Sequence, residues 1–169
     1  MTGLKSIPDD VRWRIAAEFS ARLPSLYENA FREVVGGQYD ELEQEVWTNT
    51  AKAVFDIARS LSLPVSNAPE LAETIRTVMV ILFGPGFKSE TLEVSNDSAV
   101  ILIKRCPVLD ASHVAGSPGE LTFRRCMAFT LMAVPALNKE FGARFVRTMC
   151  TRDRQCEIKV SRTETDAKK

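Results

Sequence analysis

The hydrophobic pattern of this chain changes from a helical to a strand period close to residue 87. Before that point apolar side chains recur every three or four residues, the spacing of amphipathic helices. After it, residues 91–94 and 99–104 are expected as two strands, and they flank the turn-forming residues 95–98. A chain that passes from helices to hairpins predicts an α+β domain, with a helical layer against a sheet.

Four helices are expected in the first half, each with its own start and stop signals. Asp9-Asp10 begins a helix with the apolar face Val11, Ile15 and Phe19, and Pro24 ends it. Ser25 and Glu28 form a capping-box pattern that predicts the start of a second helix, carrying Leu26, Ala30 and Val34 and ending at Gly36-Gly37. The third is expected from Asp40 to Pro64 with Leu42 and Val46 in its stripe, and the fourth from Asn67 to Gly84 with Leu71, Ile75 and Val78.

The second half predicts two hairpins separated by one helix. Residues 99–103 are apolar on both faces, so this strand is expected in the middle of the sheet. Residues 107–117 are interpreted as a loop, and the pattern Ser117-Pro118-Gly119-Glu120 predicts a capped helix. A second hairpin is expected over residues 144–149 and 156–160. The predicted fold is therefore a set of four N-terminal helices on a mainly antiparallel four-stranded sheet, in the order β-β-α-β-β. The predicted inward residues of the covering helix are Phe123, Cys126, Met127, Val134 and Leu137.

Composition excludes several classes of function. The 169 residues fit a single domain, expected over residues 1–161 with a tail at 162–169. Lys plus Arg equals Asp plus Glu, at 22 each, so no excess charge attracts nucleic acid or an anionic membrane. No apolar run approaches the roughly 18 residues of a membrane span, and a cytoplasmic location is expected.

All four cysteines lie in the last 64 residues: Cys106, Cys126, Cys150 and Cys156. In a reducing compartment, clustered cysteines are more often metal ligands or catalytic groups than disulfides. Cys106 follows the predicted central strand, Cys150 ends the third strand and Cys156 begins the fourth. If strands two and three are parallel neighbours joined through the helix, these three cysteines meet at one edge of the sheet. Cys126, inside the helix, reaches them only if that helix crosses near the same edge.

Three interpretations of the cysteines stay open. They could bind zinc or an iron–sulfur cluster, with Cys106, Cys126, Cys150 and Cys156 as ligands, although their spacing matches no standard motif. Alternatively, one cysteine, with Cys106 as the best candidate, is a nucleophile activated by His113 or by Arg124 and Arg125, without metal. The third possibility is that the cysteines are small core residues, which is the preferred reading for Cys126 alone. If the metal site is hydrolytic, Arg105 is the expected receptor of a substrate carboxylate.

A few residues resemble a known family. Arg105-Cys106-Pro107, Gly116, Cys126 and the ending Cys150…Cys156-Glu157-Ile158-Lys159-Val160 are similar to the L-2-amino-thiazoline-4-carboxylic acid hydrolase family. They are more distantly similar to the small-molecule-binding domains named after vinyl reductase. The family often has Gly-Asp before the last cysteine, where this chain has Arg152-Asp153-Arg154-Gln155. The resemblance implies one cysteine-lined pocket between the sheet edge and the helices.

The functional expectation is a protein with a metal or iron–sulfur centre that acts as a hydrolase on C–N bonds of a small, carboxylate-bearing heterocycle. The alternatives are a non-enzymatic small-molecule-binding, sensor or accessory module, and a metal-free enzyme with a cysteine nucleophile. In every case the expected partner is a small molecule.

Overall fold

The computed structural model describes residues 3–163, which contain five α-helices and four β-strands. Three helices precede the first hairpin, and two helices separate it from the second. The predicted order β-β-α-β-β is therefore wrong by one helix. The elements are α1 (Asp9–Val35), α2 (Tyr39–Ser60), α3 (Ala68–Phe83), β1 (Lys88–Ser95), β2 (Ser98–Arg105), α4 (Pro107–Val114), α5 (Gly119–Leu137), β3 (Phe141–Arg147) and β4 (Cys156–Arg162).

The four strands form one antiparallel sheet in the order β1-β2-β4-β3. Both predicted hairpins are present, and β2 lies inside the sheet as its two apolar faces indicate. Arg162, expected in the tail, belongs to β4 and forms ion pairs with Asp97 and Glu140. The rest of the expected tail from residue 164 onward lies outside the described residues.

The prediction that β2 and β3 are parallel is confirmed, but the prediction that they are neighbours is wrong. Each pairs antiparallel with β4, so β2 and β3 run in the same direction, but β4 lies between them. The helical connection therefore skips one strand position. Because the two strands still point the same way, their carboxyl ends and the start of β4 lie at the same edge of the sheet.

The expected break at Pro24 is absent, and α1 runs through it without interruption. The buried residues of α1 are Ala17, Ala21, Ser25 and Glu28, which continue one face from before the proline to beyond it. Packing of this continuous face outweighs the backbone hydrogen bond that a proline inside a helix removes. Ser25 and Glu28 are thus buried in the middle of a helix and do not form a cap.

The apolar stripe predicted for the first helix faces away from the core. Ile15 is 56% exposed and Phe19 is 61% exposed, whereas Ala17 between them is buried. Gly84, at the end of α3 with φ +83°, lies so close that a Cβ there would overlap the Cβ of Ala17. Small side chains let α1 approach α3 closely, so the alanine face is buried instead of the larger apolar one. The predicted residues Leu26, Val34, Leu42 and Val46 are likewise at least half exposed.

Helix α3 matches its prediction and forms the centre of the core. The Asn67 side chain accepts a hydrogen bond of 2.9 Å from the Glu70 amide, as an N-cap does. Leu71, Ile75 and Val78 are fully buried. Together with α5 they cover the face of the sheet that presents Ile101, Ile103, Ile158 and Val160.

The expected loop at residues 107–117 is mostly helical. Pro107 occupies the first turn of α4, where its missing N–H costs no hydrogen bond. Val108, Leu109 and Ser112 are buried, so tertiary contacts stabilise this short helix. The capping box predicted at Ser117 does not form, because Pro118 is the N-cap of α5 and makes no side-chain cap. Met127, expected to face inward, is 37% exposed.

Candidate functional site

All four cysteines line one buried cavity between the sheet edge and the helices. Its volume is about 40 Å³, and its walls are almost entirely apolar. A space of this size holds a few water molecules at most. The side chains around it are Trp47, Met79, Phe83, Phe87, Ile103, Cys106, Val108, Leu109, Thr122, Arg125, Cys126, Phe129, Met149, Cys150 and Cys156.

The register of the sheet positions three of the cysteines. Ile103 on β2 pairs with Cys156 on β4, and Cys106 follows three residues later as the N-cap of α4. Cys150 lies in the 3-10 turn Met149–Thr151 that leaves β3. The convergence predicted from strand direction is therefore present, although the strand order behind it differs.

Helix α5 brings the fourth cysteine to the same cavity. The start of α5 packs on the 3-10 turn so closely that a Cβ at Gly119 would overlap the backbone carbonyl of Cys150. Cys126 lies seven residues further along, about 10 Å up the helix. Because α4 turns the chain back across the sheet edge before α5 begins, Cys126 reaches the cavity. The sequence indicated no helix in this segment and therefore left the position of Cys126 open.

The Cys156 sulfur is held by its neighbours. The Met149 backbone N–H donates to this sulfur over 3.3 Å, and the Thr148 hydroxyl lies 3.8 Å from it. The Cys126 sulfur lies 3.9 Å from the Thr130 hydroxyl one helical turn away. Both thiols therefore have fixed positions in the cavity wall.

Burial raises the pKa of three of the cavity thiols, those of Cys106, Cys126 and Cys150. Burial raises the pKa of Cys106 to about 12. Hydrogen bonds from the backbone amides of Leu109 and Val108 act in the opposite direction but have a smaller effect. Burial also raises the pKa of Cys126 well above its ordinary value and raises that of Cys150. An activated cysteine nucleophile has a lowered pKa and a cationic neighbour. This environment is therefore not that of an activated thiolate.

In residues 3–163, no group of three or more His, Cys, Asp or Glu side chains is arranged to hold a metal ion. The four sulfurs thus share a cavity without forming a ready-made tetrahedral site. The expected zinc or iron–sulfur centre stays a prediction.

A buried ion network closes one side of the cavity. The Arg125 guanidinium is 1% exposed; its Nε donates to Glu43 over 2.8 Å, and it also pairs with Glu28. Glu28 accepts a further bond of 3.0 Å from Arg32. Helices α1, α2 and α5 are therefore joined by charge-assisted hydrogen bonds, the stronger kind. The sequence offers Arg125 as an activator of a cysteine, but nothing in its pattern pairs this arginine with acids more than 80 residues away, and the structure shows its guanidinium bound to them.

Hydroxyl groups extend this network toward α4. Thr122 donates to Ser112 over 2.6 Å, and Ser112 lies 3.0 Å from Ser25. Ser25 in turn accepts from Arg125 over 3.4 Å. These buried polar groups satisfy one another, as buried polar groups must.

Neither His113 nor Arg105 lines the cavity that the cysteines share. His113 is exposed in the last turn of α4 and does not line the cavity. Arg105 is exposed and donates to Asp110 over 3.1 Å. The expected pairing of Cys106 with His113 is therefore not seen, and the predicted catalytic role of His113 has no geometric support.

None of the helices in the described part of the chain is long and apolar enough to cross a membrane.

No protein-family model matches the sequence, and no curated protein is significantly similar to it, so the hydrolase-like family is not confirmed. The fold resembles a trafficking protein particle complex subunit 3 from Naegleria fowleri, solved covalently bound to palmitic acid. The TM-score is 0.59 at 16% identity, over 89% of this chain and 96% of that one. It also resembles the phenol-responsive sensory domain of the transcription activator PoxR, solved with phenol, with a TM-score of 0.57 at 12% identity over 85% of this chain and 74% of that one. At these identities the likeness shows that the three chains share an α+β fold.

Proposed function

We propose that this chain is a small-molecule-binding module, of the sensor or accessory kind, whose ligand site is the cysteine-lined cavity. The observation that carries the proposal is the cavity itself, a pocket with apolar walls and one ion-paired arginine inside a well-packed core. Ligand sites have this composition, with many apolar groups and few oriented polar ones. Two proteins of the same fold were solved with a phenol and a fatty acid, which supports a ligand of apolar character.

The raised thiol pKa values and the exposed position of His113 give no support to a nucleophilic mechanism. The proposal is therefore for binding without turnover. Ligand binding would raise the free energy of unfolding, since a molecule that binds only the native state stabilises that state.

Thermal unfolding with and without phenol and benzyl alcohol tests the proposal; each ring is larger than the space of about 40 Å³, so part of the bound molecule would stay outside the cavity. Val108 lines the cavity and is 8% exposed, so Val108→Phe fills the space. Val146 on β3 is 48% exposed, and Val146→Phe is the matched control. We expect the ligands to raise the melting temperature of the wild type and the control but not of Val108→Phe. If Val108→Phe does not fold, Cys126→Leu replaces it. An equal ligand effect on the cavity variant and the control would place the ligand elsewhere and contradict the proposal.

A thiolate metal centre is a second candidate, because four thiols line one cavity. Cys106, Cys126, Cys150 and Cys156 would be the ligands of zinc or of an iron–sulfur cluster, and their side chains would have to move to bring the sulfurs into a shared site. Elemental analysis and a visible spectrum of anaerobically purified protein test this candidate. Colourless protein with essentially no bound metal would reject it, whereas stoichiometric metal that is lost in Cys126→Ser and in Cys156→Ser would support it.

A further inference from the structure

A second hollow, here called the arginine groove, lies on the surface between α1 and α4. Its volume is about 290 Å³, several times that of the cysteine cavity. The buried small side chains Ala17 and Ala21 form its floor. Arg14 and Arg22 contribute from α1, and Arg105 contributes from the end of β2.

The charge of the groove is positive. Three guanidinium groups line it, with two carboxylates, Glu18 and Asp110. Asp110 is engaged by Arg105. Within residues 3–163, no acidic group lies close enough to Arg14 or Arg22 to form an ion pair. Two arginines are thus available to an anion that enters the groove.

The arginine groove and the cysteine cavity are separated by a thin wall. Phe83 lines both spaces. At the start of α4, Pro107 lines the groove while Cys106 lines the cavity. A passage between the two spaces would therefore run past Phe83.

The cysteine cavity is too small for a whole ligand, whereas the arginine groove beside it is larger. An apolar cavity that holds benzene has a volume of about 150 Å³. The cysteine cavity, at about 40 Å³, is too small to enclose such a molecule completely. A ligand larger than this must extend out of the cavity, and the larger positive groove lies directly beyond Phe83. The part of the ligand that stays outside would meet the arginines.

We propose that the arginine groove binds the anionic head of an amphipathic ligand whose apolar end enters the cysteine cavity past Phe83. The head is a carboxylate or a phosphate, both of which accept hydrogen bonds from guanidinium groups. This inference rests on the proposed function, because it assigns the chemical class of the ligand for the same cavity.

The test uses octanoate, octyl phosphate and the uncharged 1-octanol. The chain has two tryptophans, so Trp13→Phe protein leaves Trp47, in the cavity wall, as the sole reporter of fluorescence. The groove variant is Arg14→Gln/Arg22→Gln. The matched control is Arg59→Gln/Arg144→Gln, which removes the same charge at two exposed positions outside the groove.

We expect at least one of the anions to change Trp47 emission and to bind more tightly than 1-octanol. The groove variant should lose about tenfold in affinity for that anion, with 1-octanol binding and the control unchanged. The tighter of octanoate and octyl phosphate identifies the head group, and either result supports the inference.

Three outcomes would overturn it. If all three compounds bind with equal affinity to the wild type and the groove variant, the cavity still binds ligands but the groove takes no part. If an anion binds by calorimetry without changing Trp47 emission, its apolar end does not reach the cavity. If no compound binds, and phenol and benzyl alcohol also fail to stabilise the protein, the inference and the proposed function fail together.

Discussion

Arg125 on α5 and Glu28 on α1, 97 residues apart in the chain, form a buried ion pair beside the cysteine cavity. Both side chains are less than 5% exposed. A second carboxylate, Glu43 on α2, accepts from the same guanidinium. The three longest helices of the described chain thus meet at one arginine.

Removal of this arginine is expected to destabilise the fold strongly. Arg125→Leu takes the guanidinium away from two buried carboxylates, of which Glu28 keeps Arg32 as a partner, and breaking buried pairs in this way costs about 3–5 kcal/mol of the free energy of unfolding. Urea unfolding measures it. The triple variant Arg125→Leu/Glu28→Leu/Glu43→Gln removes the unpaired charges together and should lose less than the single variant. A triple variant that is less stable than Arg125→Leu would contradict this explanation.

Gly119→Ala is expected to displace the turn that carries Cys150. An added Cβ would overlap the Cys150 backbone carbonyl, which cannot rotate away as a side chain would. We expect a destabilisation of about 1–3 kcal/mol and a faster reaction of Cys150 with a thiol reagent. Gly37→Ala is the matched control, since no atom lies within 4 Å of a Cβ there. Mass spectrometry of the labelled peptides identifies which thiol reacts, and an unchanged rate at Cys150 would argue against a fixed contact.

Because α1 buries its alanine face, a substitution on that face is expected to lower stability more than the loss of a large apolar side chain on the exposed face. Ile15→Ser removes a large apolar group that is 56% exposed and should change stability by less than about 0.5 kcal/mol. Ala17→Leu introduces bulk against Gly84 and should cost about 1–3 kcal/mol. Thermal or urea unfolding of the two variants decides. If Ile15→Ser is the more damaging of the two, α1 packs through the stripe that the sequence predicts.

Stability at alkaline pH should depend on Tyr39. Burial, reinforced by the Glu43 carboxylate, raises the pKa of Tyr39 to about 12. In the unfolded chain the phenol ionises near its ordinary pKa of 10. The contribution of Tyr39 to folding is therefore fully present below pH 10 and is lost as the pH rises toward 12.

Urea unfolding at a series of alkaline pH values measures this loss. Tyr39→Phe should flatten the decline of stability in that range. Tyr27→Phe is the control, because Tyr27 is 54% exposed on α1 and should leave the decline in place. Identical pH profiles for the wild type and Tyr39→Phe would contradict the assignment.

Local sequence patterns correctly predict those elements in which the most apolar face is also the buried face. Asn67 caps α3, and its Leu71, Ile75 and Val78 are all buried, because one face of this helix is both the most apolar and the one against the sheet. The hairpin of β1 and β2 was predicted for a similar reason. Turn residues and alternation act over neighbouring positions, where sequence alone is informative.

Contacts between distant segments could not be predicted in this way. α1 buries Ala17 instead of Phe19 because of Gly84, which belongs to another helix. Strand direction was enough to bring Cys106, Cys150 and Cys156 to one edge, but Cys126 depended on α4, whose helix is stabilised by tertiary contacts. Arg125 is an arginine on a buried face, and only the folded chain shows which acids neutralise it.

The interior strand β4 is made from residues 156–162, after every other element described here. On the ribosome, β2 and β3 therefore emerge with no strand between them, and each has an unpaired edge until β4 is synthesised. Open edges of this kind pair readily with other chains. The nascent protein thus depends on β4 to cover these open edges, and chains released before residue 156 would be substrates for chaperones or proteases.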